Sequence, residues 1–97
     1  MNRMVRELAR VLEASAADRG VALTAELLQS RAWSSALFSG ERLTFDLAAD
    51  DDEAFEAWLA ALPETELPLH RYFVADADMT ARSKGAATVE LLVIEEV

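Results

Sequence analysis

Apolar and polar positions along this chain change period several times, and each change marks an element. Between Arg3 and Asp18, Val5, Leu8, Leu12 and Ala16 recur every three or four positions, with Met4, Ala9 and Val11 widening the stripe. That spacing predicts an amphipathic helix over 3–18, stopped by Gly20 just beyond its end. From Val21 the apolar residues move to odd positions: Val21, Leu23, Ala25 and Leu27, in phase with Trp33, Ser35 and Leu37. Gln29 and Arg31 break the run and mark a bulge or bend. We read one long, bent strand over 21–38; for 21–30 a short helix opened by Thr24 is the alternative. Leu43, Phe45 and Leu47 alternate in a second strand. The two odd sets meet only across an odd-numbered turn, because a one-residue slip turns a whole face to solvent. Phe38-Ser39-Gly40 supplies such a turn, with Gly40 in the left-handed region. On this register Trp33 anchors the core.

The second half repeats the order. Asp50 or Asp51 caps a helix in which Phe55, Trp58, Leu59 and Leu62 follow the i, i+3, i+4, i+7 rule, and Pro63 and Pro68 bracket its exit. Residues 67–82 and 86–97 then alternate as a second hairpin about Ser83-Lys84-Gly85. Its register sets Met79 beside Val89, Ala77 beside Leu91 and Ala75 beside Val93. The expected fold is α+β: a four-stranded, mainly antiparallel sheet with two helices on one face, order α-β-β-α-β-β, built as a single domain over 1–97.

Composition narrows the function. At 97 residues with 53% hydrophobic content the chain can bury a core, which argues against disorder. No apolar run reaches the ~18 residues of a membrane helix. Glu7, Arg10 and Glu13 break what a signal peptide needs as an apolar core, so the expectation is a cytoplasmic protein without a membrane partner. The absence of Cys excludes disulfides and thiolate chemistry. Net charge is −9, and the excess lies in residues 50–97, where twelve acids face Arg71, Arg82 and Lys84. Direct binding to nucleic acid is disfavoured, since phosphate recognition rests on clustered Lys and Arg. An acidic surface serves solubility, or presents itself to a basic partner.

The outer face of the second hairpin holds the remaining candidates. It is expected to carry His70, Tyr72, Val74, Asp76, Asp78, Leu92, Ile94, Glu90 and Glu96, with Asp78 opposite Glu90 and Val74 opposite Ile94. Tyr72, Val74, Leu92 and Ile94 form an apolar patch rimmed by the acids Asp76, Asp78, Glu90 and Glu96, a composition suited to a protein interface. Two copies could join through this face, or edge to edge through the C-terminal strand. Asp76, Asp78 and Glu90 are weak candidates for a divalent cation, outweighed by a plain solvated patch; no metal or cofactor is expected. His70 lacks a nucleophile or an orienting acid nearby in sequence, and three glycines make no phosphate loop, so the chain leans away from enzymes.

Ser30-Arg31-Ala32-Trp33-Ser34-Ser35-Ala36-Leu37-Phe38-Ser39-Gly40-Glu41-Arg42 resembles a segment, S-R-x-W-x-S-A-x-F-x-G-x-R, of small uncharacterised (conserved hypothetical) bacterial proteins. Leu62-Pro63, His70, Val74-Ala75-Asp76 and the stretch from Glu90 to Glu96 are similar as well. Ala32 stands where that group commonly has proline, and Leu43 where it has histidine. The resemblance brings no activity with it. The expected function is a non-enzymatic protein-interaction module forming a homodimer; the alternatives are an acidic decoy for a basic site on another protein, and a small-ligand or weak divalent-cation binder on the outer sheet face.

Overall fold

The computed structural model describes residues 2–50 and 52–96. Helix α1 spans Arg3–Ala17; its first turn is capped by Asn2, whose Oδ1 accepts the Val5 N–H at 2.8 Å. Val5, Leu8, Leu12 and Ala16 are buried along one side, as their spacing requires. Gly20, at φ +78°, turns the chain out of the helix. Helix α2 covers Glu53–Ala61 and continues into a 3₁₀ turn at Leu62–Glu64. Asp52, not Asp50, caps it: the helix starts at Glu53, and the extended Asp52 accepts the Phe55 N–H at 3.0 Å. Asp51 lies outside the described residues.

The strands are β1 (Thr24–Ser34), β2 (Ser39–Ala48), β3 (Tyr72–Ser83) and β4 (Ala86–Glu95). They form one four-stranded antiparallel sheet in the order β1-β2-β4-β3. Residues 24–34 are therefore strand and not helix. The C-terminal strand β4 is central, flanked by β2 and β3, so its edge is not open to a partner; β1 and β3 are the edges. Both helices cover one face. Phe45, Leu47, Val89, Leu91 and Val93 of the central strands meet Leu8, Leu12, Phe55 and Trp58 there in one buried cluster. Full burial of each such side chain is worth about 1.5–3 kcal/mol, and this layer is the main source of stability.

Two contacts lock the helices to each other and to the sheet. The Trp58 indole N–H donates to Ser15 Oγ at 3.0 Å, joining α2 to α1. Arg82 lies over the Phe55 ring, 5.0 Å from its centroid, and its guanidinium also pairs with Glu56 and donates to the Ala86 carbonyl.

The hairpin registers depart from expectation near each bulge. In the first, Ser34 pairs with Ser39 and Trp33 with Gly40, so the loop is residues 35–38 and Gly40 belongs to β2. Ser35 closes that loop: its N–H donates to the Phe38 carbonyl at 2.8 Å, and its Oγ accepts the Phe38 N–H at 3.2 Å. An extra residue, Leu28, between the Leu27–Phe45 and Gln29–Thr44 pairs reverses the alternation. Odd residues face the helices up to Leu27; beyond it the inward set is Ser30, Ala32 and Ser34. Trp33 therefore stands on the outer face, half-buried, and is not a core anchor.

The second hairpin pairs Ser83 with Ala86 around Lys84-Gly85, with Gly85 at φ +70°. An extra residue at Thr80 restores the expected pairs Met79–Val89, Asp78–Glu90 and Ala77–Leu91. A second extra residue, Ala75, shifts the remainder: Val74 lies opposite Val93 and Phe73 opposite Ile94.

Candidate functional site

On the sheet face without helices, side chains line up in rows across β1, β2, β4 and β3. The first row is Trp33, Gly40, Ile94 and Phe73; the second Arg31, Arg42, Leu92 and Asp76; the third Gln29, Thr44, Glu90 and Asp78. Leu92, Ile94, Asp76, Asp78 and Glu90 thus occupy the outer face as their sequence positions suggest. Tyr72 and Val74 do not. The bulge at Ala75 turns both to the helix side, where they pack against the core, and puts Phe73 in their place. Glu96 follows β4 and donates its N–H to the Arg71 carbonyl.

The first row is apolar from edge to edge. Ile94 is only 7% exposed although no helix covers it. Gly40 separates it from Trp33, so no intervening side chain stands between the two. Phe73, 38% exposed, closes the row at the β3 edge. Beyond this row lies the 35–38 loop, where Leu37 is 80% exposed and Phe38 43%. Leu28, at the β1 bulge, is exposed as well. Leu37, Phe38 and Phe73 thus gather with Trp33 at the end of the sheet built by the first hairpin, whereas Leu28 and Met79, 52% exposed, lie farther along the two edge strands.

The acids below that row are partly answered. Arg42 Nη1 lies 3.2 Å from Glu90 Oε1, an ion pair on the outer face. This relieves the repulsion between Glu90 and Asp78 directly opposite it. Among the described residues, no group of three or more Asp, Glu, His or Cys is placed to hold a metal ion.

His70 leaves the outer face altogether. It precedes β3, and its backbone N–H donates to Glu7 Oε1 at 2.8 Å, which ties it beneath the first turns of α1. Arg71, at φ +67°, turns the chain from there into the sheet. His70 lines an open cleft with Asn2, Arg3, Glu7, Arg71 and Tyr72. Glu7, the carboxylate of that cleft, is engaged by the His70 backbone. Ser34 and Ser35 lie in the first hairpin, at the end of β1 and in its loop, and Ser35 Oγ is committed to closing the loop. A nucleophile, base and orienting acid are thus not assembled from these residues.

Comparison with protein-family models, with curated proteins and with solved structures finds no match to this chain. What it does must be argued from its own surface. Among the described residues, no helix is long and apolar enough to cross a membrane.

Sequence reasoning sets Trp33, Leu37 and Phe73 on the core face, and the structure places all three outside it; Phe38, expected in the turn, lies in the hairpin loop. A pattern of polarity carries no sign of a bulge residue, and each bulge reverses the face of everything beyond it.

Proposed function

We propose that this chain is a non-enzymatic protein-interaction module that forms a homodimer, with the first-hairpin end of the sheet as its contact region. One observation carries this reading: Trp33, Leu37, Phe38 and Phe73 gather at one end of the molecule, outside the helix-covered core. An exposed apolar patch of this kind, bordered by Arg31, Arg42 and Asp76, has the apolar centre and polar rim of a protein contact. Aromatic residues and arginine are the types that most often dominate binding energy at such contacts.

Sedimentation velocity from low to high micromolar concentration tests the reading. A concentration-dependent dimer is expected. The double variant Leu37→Ser/Phe38→Ser should weaken it at least tenfold while leaving the far-ultraviolet circular dichroism unchanged, because both side chains sit in an exposed loop. A chain that stays monomeric throughout this range overturns the homodimer.

A further inference from the structure

The two edges of the sheet are built differently. The β3 edge carries two bulges, at Ala75 and Thr80, and the acids Asp76 and Asp78. Bulges and charge are what sheet proteins use to keep an edge from pairing. The β1 edge has its single bulge at Leu28 and then runs regularly from Gln29 to Ser34, a run in which Arg31 is the only charge. Its hydrogen-bonding groups can be assigned. Ser35 donates to Phe38 across the hairpin, so the alternation of an antiparallel ladder directs Trp33, Arg31 and Gln29 toward β2. Ser30, Ala32 and Ser34 therefore turn their N–H and C=O groups to the open side.

We propose that two copies join along this edge, β1 antiparallel to β1, with the twofold axis at Ala32, giving one continuous eight-stranded sheet. The inference rests on the homodimer reading and names its seam. Opposed residues must share a face, which leaves only registers centred on a residue. Centring on Arg31 sets two like charges directly opposite each other. Centring on Ser30 runs the ladder into the Leu28 bulge. Centring on Trp33 loses the bonds of Ser30. Centring on Ala32 uses every open group: Ala32 pairs with its own copy, and Ser30 with Ser34 in both directions. On the outer face each Arg31 then stands opposite the Trp33 of the other copy, a cation over an aromatic ring, twice. On the helix side the seam holds only Ser and Ala, so nothing obstructs backbone approach. The same register brings Leu28 of each copy level with Ala36 of the other, beside Leu37. Leu28 and Leu37, both exposed in a lone chain, thus converge on the seam.

Two variants at the axis test the inference, each alongside the wild type in sedimentation velocity. Ala32→Pro removes an N–H that points away from β2, so the fold is expected to persist and the dimer to weaken at least tenfold. Ala32→Cys introduces the chain's single thiol on the axis, where the paired backbones bring the two copies within disulfide reach. Mild oxidation should convert it almost wholly to covalent dimer, whereas Asp78→Cys on the other edge should stay largely uncrosslinked. If Ala32→Pro does not fold, the thiol pair decides. A dimer in which Ala32→Cys crosslinks no better than Asp78→Cys overturns the seam while leaving the homodimer standing. A monomeric wild type overturns both.

Discussion

A Cβ placed on Gly40 would lie 2.0 Å from the carbonyl oxygen of Val93. Position 40 therefore needs glycine because β4 passes too close for any side chain, not because a turn demands a left-handed residue. The clash is with backbone, which cannot rotate away. Gly40→Ala must push β4 aside or open the last pair of the β2–β4 ladder. We expect a loss of about 2–3 kcal/mol, as for other overpacked sites, read from the urea midpoint. A change under about 0.5 kcal/mol, the range of neutral surface substitutions, would contradict the close approach.

Ser15→Ala takes away the acceptor of the Trp58 indole N–H. Trp58 is buried, so its donor loses a partner with little water to replace it. A cost of about 1–2 kcal/mol is expected, with a shifted tryptophan emission maximum. An unchanged denaturation midpoint would show that the two helices do not depend on this link.

Arg82 holds the start of α2 to the end of β3 through Phe55, Glu56 and the Ala86 carbonyl. Arg82→Ala should cost about 1–2 kcal/mol in thermal or urea unfolding. Arg82→Lys should recover less than half of that, since an ammonium cannot stack on the ring and fork to two acceptors together. Full recovery by lysine would reduce the contact to charge alone.

Trp33→Ser and Phe45→Ala separate the two faces of the sheet. Phe45 is fully buried in the helix-covered layer, and its truncation should cost about 3–5 kcal/mol. Trp33 stands half-buried on the outer face, and Trp33→Ser should cost less than half as much. Equal losses in calorimetry would return Trp33 to the core.

That last contrast marks how far the sequence could be read. Both helices are legible because their signal is local: Val5, Leu8, Leu12 and Phe55, Trp58, Leu59 need only three- and four-residue spacing. The inward sets Leu43, Phe45, Leu47 and Val89, Leu91, Val93 are legible for the same reason, since β2 and β4 carry no extra residue. Asp78 opposite Glu90 follows from counting back from Gly85, with the one-residue error at the turn cancelled by Thr80. The candidate site was legible only in part. Leu92 and Ile94 lie on a regular strand and keep their face, whereas Tyr72, Val74 and Trp33 lie beyond a bulge and lose theirs. Which strands neighbour one another depends on packing across the whole chain, and no local spacing encodes that β2 pairs with β4.

The extra residues at Leu28, Ala75 and Thr80 all lie in the outermost strands, and none interrupts β2 or β4. The sheet thus keeps its spare length at its margins. Removing Leu28 would leave Leu27 opposite Phe45 and Gln29 opposite Thr44, so the ladder becomes regular and every side chain keeps its face. Removing one residue between Leu43 and Leu47 would instead invert half a central strand and bury its polar set. Change in chain length is thus tolerable at three addresses on the rim and ruinous in the middle, and a scan of single-residue deletions for soluble, folded protein would draw that map directly.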